Sequence, residues 1–239
     1  MGKKKSIQEP TSPTFPRQKP TLCRSTPSDE TYQGVPKIDN NKKYQQKNDT
    51  HFDKIYHGIR TQSDKWIEMA CEEAYQSVLQ GGGPFGAVLL EIDNSSGQIL
   101  RFWRDHNHVT QWNDPTAHAE IAVIRAACQE LERFDLGKIH KKNQLKPKKQ
   151  TSHCILYSSA EPCPMCYGAI AWARIPVLIF AATRFDTASK GVNFSDAALY
   201  HEIALPPRKR HKLRTLRLAQ THNALDAFNL WKKSEKILY

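Results

Sequence analysis

The chain lacks any apolar run that could cross a bilayer: its longest, such as Ile175 to Ala182, falls far short of the roughly 18 residues a spanning helix needs. Its first ten residues carry lysines but no apolar core, which speaks against a secretory signal and against export into an oxidising compartment. Cysteine is scarce, six in 239 residues, and four of the six stand singly; only Cys163 and Cys166 form a C-x-x-C pair. That spacing reads as metal ligation, not as a disulfide lattice, and the expected compartment is the cytoplasm. Acidic residues are missing from two stretches: 138–150 and 208–217 each hold six Lys or Arg and no acid.

What is present is unevenly placed. Residues 1–60 carry 12 basic and 6 acidic side chains, whereas 61–137 carry 5 and 12, so the formal charge of +11 comes from attachments to an acidic body. Charge placed in this way is usually a solvated tail or loop; nucleic-acid binding is the disfavoured alternative. Residues 1–60 also hold six of the 14 prolines and show no helical or strand period, so they read as a disorder-type basic, Pro-rich extension. Its Met1-Gly2-Lys-Lys-Lys-Ser6 start fits the loose myristoylation pattern, which lysine-rich starts also meet by chance.

From Asp64 the texture changes. Trp66, Met69, Ala70, Ala74 and Val78 recur at helical spacing until Gly81-Gly82-Gly83-Pro84 stops the helix. Phe85–Ile92 and Ile99–His106 read as strands joined by the turn Asn94-Ser95-Ser96-Gly97. A helix follows Asn113-Asp114-Pro115-Thr116 and runs to about Phe134. Then come strand Cys154–Ser158, a helix from Pro162, strand Val177–Ala182, a short helix over Phe194–His201, strand Thr215–Ala219 and a closing helix Leu225–Lys236. Alternation of this kind predicts an α/β three-layer α-β-α sandwich. The domain spans 61–239, with 138–150 inserted as a lysine-rich loop.

Two short motifs carry the chemistry. His118-Ala119-Glu120 and, 45 residues after the histidine, Pro162-Cys163-Pro164-Met165-Cys166 reproduce the H-x-E and P-C-x-x-C signature of zinc deaminases. One imidazole and two thiolates, His118, Cys163 and Cys166, would hold one Zn2+ per subunit and leave its fourth position to water, as in catalytic centres. Both motifs fall at predicted helix starts, where unpaired N–H groups and the positive dipole end favour thiolate. Glu120, two residues from His118, is placed to move a proton without ligating the metal. Taken singly, a histidine or a C-x-x-C pair reads equally as core or as a structural half-site.

These residues resemble the cytidine-deaminase superfamily and, within it, the bacterial guanine deaminases. The likeness extends over Gly82-Gly83-Pro84-Phe85-Gly86-Ala87, Asn113 to Glu120, Glu161 to Ile170 and Trp172-Ala173-Arg174. It implies a mixed five-stranded sheet between helices and a homodimer with swapped C-terminal segments. It also implies a small purine as substrate, attacked at guanine C2 to give xanthine and ammonia. Further roles follow from the resemblance: Asn107, Phe85 and Trp172 as substrate-binding residues, Asp196 as a second proton shuttle, and Tyr239 as a contact to the partner's substrate. The metal residues do not choose the base, so a tRNA wobble-adenosine deaminase and a guanosine deaminase stay open beside guanine. An inactive zinc scaffold is the alternative outside enzymology, and an intact Glu120 argues against it.

Overall fold

The computed structural model of the chain describes residues 30–34, 54–140, 151–219, 221 and 223–233. Helix α1 (Lys65–Leu79) opens where Asp64 accepts hydrogen bonds from the N–H groups of Trp66 and Ile67 at 2.9 and 3.0 Å. It ends before Gly81, whose φ of +81° only glycine adopts without strain. Strands β1 (Gly86–Asp93) and β2 (Ile99–His106) form an antiparallel hairpin, closed by Asp93 Oδ1, which accepts from the backbone N–H groups of Ser95 and Ser96. Strand β3 (Ser152–Ala160) pairs antiparallel with β1, and β4 (Val177–Ala182) pairs parallel with β3. The sheet is mixed, in the order β2-β1-β3-β4.

Every residue of β1 from Gly86 to Ile92 is buried, because both faces of the sheet are covered. Val88, Leu90 and Ile92 pack with Trp66, Ile67 and Ala70 of α1. Ala87 and Leu89 face the other way, onto α3 (Ala119–Leu131) and α4 (Pro164–Trp172). This is the expected three-layer sandwich. The deepest aromatic, Trp103, is 1% exposed and satisfies its indole N–H on Glu130 at 2.9 Å.

Four strands, not five, form among the described residues. Thr215–Ala219 alternates polar and apolar side chains as a strand does, yet it pairs with no strand among the described residues and leaves Leu218 93% exposed. A strand needs a neighbour to take its N–H and C=O groups, and the sequence pattern does not supply one. Short helices α2 (Val109–Trp112) and α5 (Arg184–Thr187) lie in stretches read as loop. The expected short helix forms three residues later, as α6 (Ala197–Ala204), and the closing helix is α7 (Asp226–Lys233).

Order also begins earlier than Asp64. Within the extension, Tyr32 N–H donates to Gly97 O, Ile99 N–H donates to Glu30 O, and Thr31 bridges to Gln98. Tyr56 is buried, donates its hydroxyl to Glu161 Oε2 at 2.5 Å, and meets Phe180 and Phe185 edge-on. Composition hid these contacts because each rests on one or two anchoring side chains, which a disorder-type background outweighs. The start at Gly2, most of the lysine loop and Tyr239 lie outside the described residues.

Candidate active site

His118 is the N-cap of α3 and Cys163 the N-cap of α4. The two helices pack against the same face of the sheet, so their starts converge. His118 Nδ1 lies 3.6 Å from Cys163 Sγ and 3.4 Å from Cys166 Sγ, and the three donor atoms all lie within 4.8 Å of one another. The Cys166 N–H points at Cys163 Sγ at 3.5 Å, the hydrogen bond expected of an N-cap acceptor. One ring nitrogen and two sulfurs at such separations match the donor chemistry of a zinc site, and no fourth protein ligand joins them among the described residues.

The electrostatics agree. The Cys163 thiol is pulled down to about 4, first by its hydrogen bond with Cys166 and then by those with His118 and the Cys166 N–H, against the effect of burial. Its partner Cys166 is pushed up, since it donates to Cys163 and is buried beside Glu120. The pair thus favours a thiolate at Cys163, and a divalent cation would supply the charge to ionise Cys166. The Cys163 hydrogen bond leads in holding the His118 imidazole above its ordinary value.

Glu120 sits in the first turn of α3, 6% exposed, and its Oε1 accepts from Ser158 Oγ at 3.2 Å. Burial raises its pKa. Asn107, 5% exposed, follows β2 and is pinned through its backbone: its N–H donates to Phe85 O at 3.0 Å, and its carbonyl accepts from Ser77 Oγ at 3.3 Å. Its side-chain Oδ1 accepts from the Val109 N–H at 3.2 Å, which fixes the carboxamide plane. Phe85 is half-buried and meets Phe194 edge-to-face at 5.1 Å. Asp196, the N-cap of α6, makes no capping bond; burial and then the Cys163 charge raise its pKa, and its own charge acts on His118.

Trp172 is not brought to this group. Cys166 and Ile170, four residues apart, bury one stripe of α4, and two further positions rotate Trp172 about 200° away, where it is 70% exposed. Sequence reasoning also missed supporting residues. Ser158 orients Glu120, and nothing in the sequence around β3 marks it. Tyr200 donates to Pro162 O at 3.0 Å and ties α6 to the cysteine loop. Glu161 Oε2 accepts from both Tyr56 and the Arg184 N–H, at 2.5 and 3.0 Å. Its place next to Pro162-Cys163 was the one available signal.

Comparison with known proteins agrees with this geometry. Residues 60–182 match the family model described as the cytidine and deoxycytidylate deaminase zinc-binding region. A guanine deaminase of Bacillus subtilis is 40% identical over 144 residues, 60% of this chain and 76% of that protein. A tRNA-specific adenosine deaminase of Aquifex aeolicus is 32% identical over 117 residues, 49% of this chain and 64% of that one. The crystal structure of a Bacillus subtilis guanine deaminase superposes with a TM-score of 0.58 at 33% identity, covering 75% of this chain and 99% of that one.

Proposed function

The chain belongs to the cytidine and deoxycytidylate deaminase zinc-binding family, and from that premise we propose that it is a guanine deaminase, converting guanine and water to xanthine and ammonia. Zinc-dependent hydrolytic deamination is the activity of the family. The choice of guanine rests on one contrast: 40% identity across 76% of a guanine deaminase, against 32% across 64% of a tRNA-specific adenosine deaminase.

His118, Cys163 and Cys166 would hold the zinc, which when bound would supply Lewis-acid activation of water. Glu120 takes a proton from the attacking water and delivers it to guanine N3. Burial, which raises its pKa, suits a carboxyl group that must both accept and return a proton. The Ser158 hydroxyl holds the Glu120 carboxylate in one rotamer through the cycle. Asp196 passes a second proton to the amine leaving C2. Asn107 offers a base edge its carboxamide, already fixed in plane by Val109, and Phe85 packs on the purine face.

The functional unit is 61–239, with 30–34 and Tyr56 docked onto it, acting as a homodimer. The cytoplasm suits its five free cysteines among the described residues. A second reading, deamination of a tRNA wobble adenosine, draws on the exposed arm 207–217. Arg208, Arg210, His211, Arg214 and Arg217 line a hollow of about 400 Å³ there. The test is ammonia release from guanine, guanosine, adenine, cytosine and an anticodon stem-loop RNA by zinc-loaded protein. Guanine should dominate. Release from the RNA alone would overturn the guanine reading and give the basic arm a phosphate-binding role.

A further inference from the structure

The geometry points to a second divalent-metal site in this chain, formed by Asp105, His106 and His108 where β2 ends. One donor atom from each lies within 4.8 Å of the other two, and the residues are 2%, 8% and 7% exposed. The set shares no residue with His118, Cys163 and Cys166.

Hydrogen-bond accounting carries the inference. His108 Nδ1 lies 2.8 Å from Gln111 Oε1, an acceptor, so the ring proton sits there and Nε2 is left with a lone pair. That Nε2 faces Asp105 Oδ1 at 2.6 Å, again an acceptor. His106 Nδ1 lies 3.4 Å from Glu73 Oε2 and 3.9 Å from Asp105 Oδ1, so this nitrogen faces two carboxylates. Asp105 Oδ2 and His106 Nε2 are both buried without a hydrogen-bond partner among the described residues. An imidazolium at His108 would satisfy the contact to Asp105 and still leave both of these atoms unmatched, a large cost for buried polar groups. A divalent cation among the three side chains answers the excess of lone pairs.

The surroundings are those of a metal centre. Each histidine gives its other nitrogen to an oxygen, Glu73 or Gln111, the arrangement that orients metal-bound imidazoles. Glu73 on α1 is held in turn by Arg104 at 3.2 Å. Trp112 stacks flat on His108, with ring centroids 4.0 Å apart, and the tilted His106 ring lies 4.6 Å from it. Two imidazoles and a carboxylate select a zinc-class first-row ion over calcium or magnesium. The consequence is local. Asn107 stands between the two histidines, and the His108 N–H donates to Ala117 O at 2.9 Å, next to His118, so an ion here braces the wall of the active site.

The experiment is a cobalt(II) titration of the untagged, metal-free full chain, followed by visible spectroscopy. About two equivalents should bind: one with the intense thiolate-to-cobalt band of the cysteine site, and one adding only weak d–d absorption, as nitrogen and oxygen ligands give. Cys163→Ser with Cys166→Ser should abolish the first signature and keep the second, and His106→Ala with His108→Asn should do the reverse. Saturation of the wild type at about one equivalent, all of it thiolate-bound, would overturn the proposal and leave Asp105 and His108 as an ion pair. So would a second equivalent that survives the His106→Ala, His108→Asn variant, since surface histidines would then be its source.

Discussion

At the scale of single residues, the candidate mechanism turns on Glu120, a buried carboxylate held by one hydroxyl beside the zinc ligands. Glu120→Gln keeps the shape and the hydrogen bond from Ser158 but cannot carry a proton. Turnover should fall roughly 10²- to 10⁴-fold, the usual worth of a positioned acid–base group, while zinc content by mass spectrometry stays at the wild-type level. Unchanged turnover would sink the role; loss of zinc would make Glu120 a support of the metal site. His118, Glu120, Cys163 and Cys166 were legible in the sequence because each pair lies two or three residues apart, and such spacing survives any fold. Ser158 and Tyr200 were not, because they act on residues 38 positions away, a distance only the sheet and α6 close. Trp172 sits inside a dense motif, and the buried stripe of α4 turns it outward, a direction the motif alone does not reveal.

At the scale of elements, the site is two helix starts held against one sheet, so whatever fixes the layers fixes the metal ligands. Gly86, the first residue of β1, lies against α1 with no room for a side chain. A β-carbon there would come within 2.3 Å of Ala70 O and 2.4 Å of Ala74 N, both backbone atoms of the helix, and 2.6 Å of Glu73 Cβ. Backbone cannot step aside as a side-chain tip can. Gly86→Ala should therefore push α1 off the sheet at a cost of about 1–3 kcal/mol or more, read as a lower denaturant midpoint. A wild-type midpoint would mean that the layers are looser than drawn. The main helices and strands were readable because hydrophobic period and capping agree along them, as at Asp64 and Gly81. The four-residue helices α2 and α5 were not, since so short a stretch shows no period.

At the scale of the whole molecule, the described chain keeps several large apolar side chains in water. From Leu205 to Lys233 no described residue is buried. Leu218, Phe228 and Leu230 are 93%, 63% and 71% exposed, while Tyr167 and Trp172 on α4 stand 62% and 70% exposed. At about 25 cal/mol per Å² of apolar surface, covering such side chains favours association. The misfit of Thr215–Ala219, an alternating stretch without a partner strand, fits the same account, because a second copy can supply the missing neighbour. The +11 charge opposes association only weakly at physiological salt, where the Debye length is about 8 Å. Light scattering should give the mass of two chains at micromolar concentration. Phe228→Ser with Trp231→Ser should shift the protein toward one chain while zinc content stays unchanged, since α7 holds none of the metal ligands. A wild-type mass of one chain at every concentration would refute the dimer, and the exposed tail would then need a different partner.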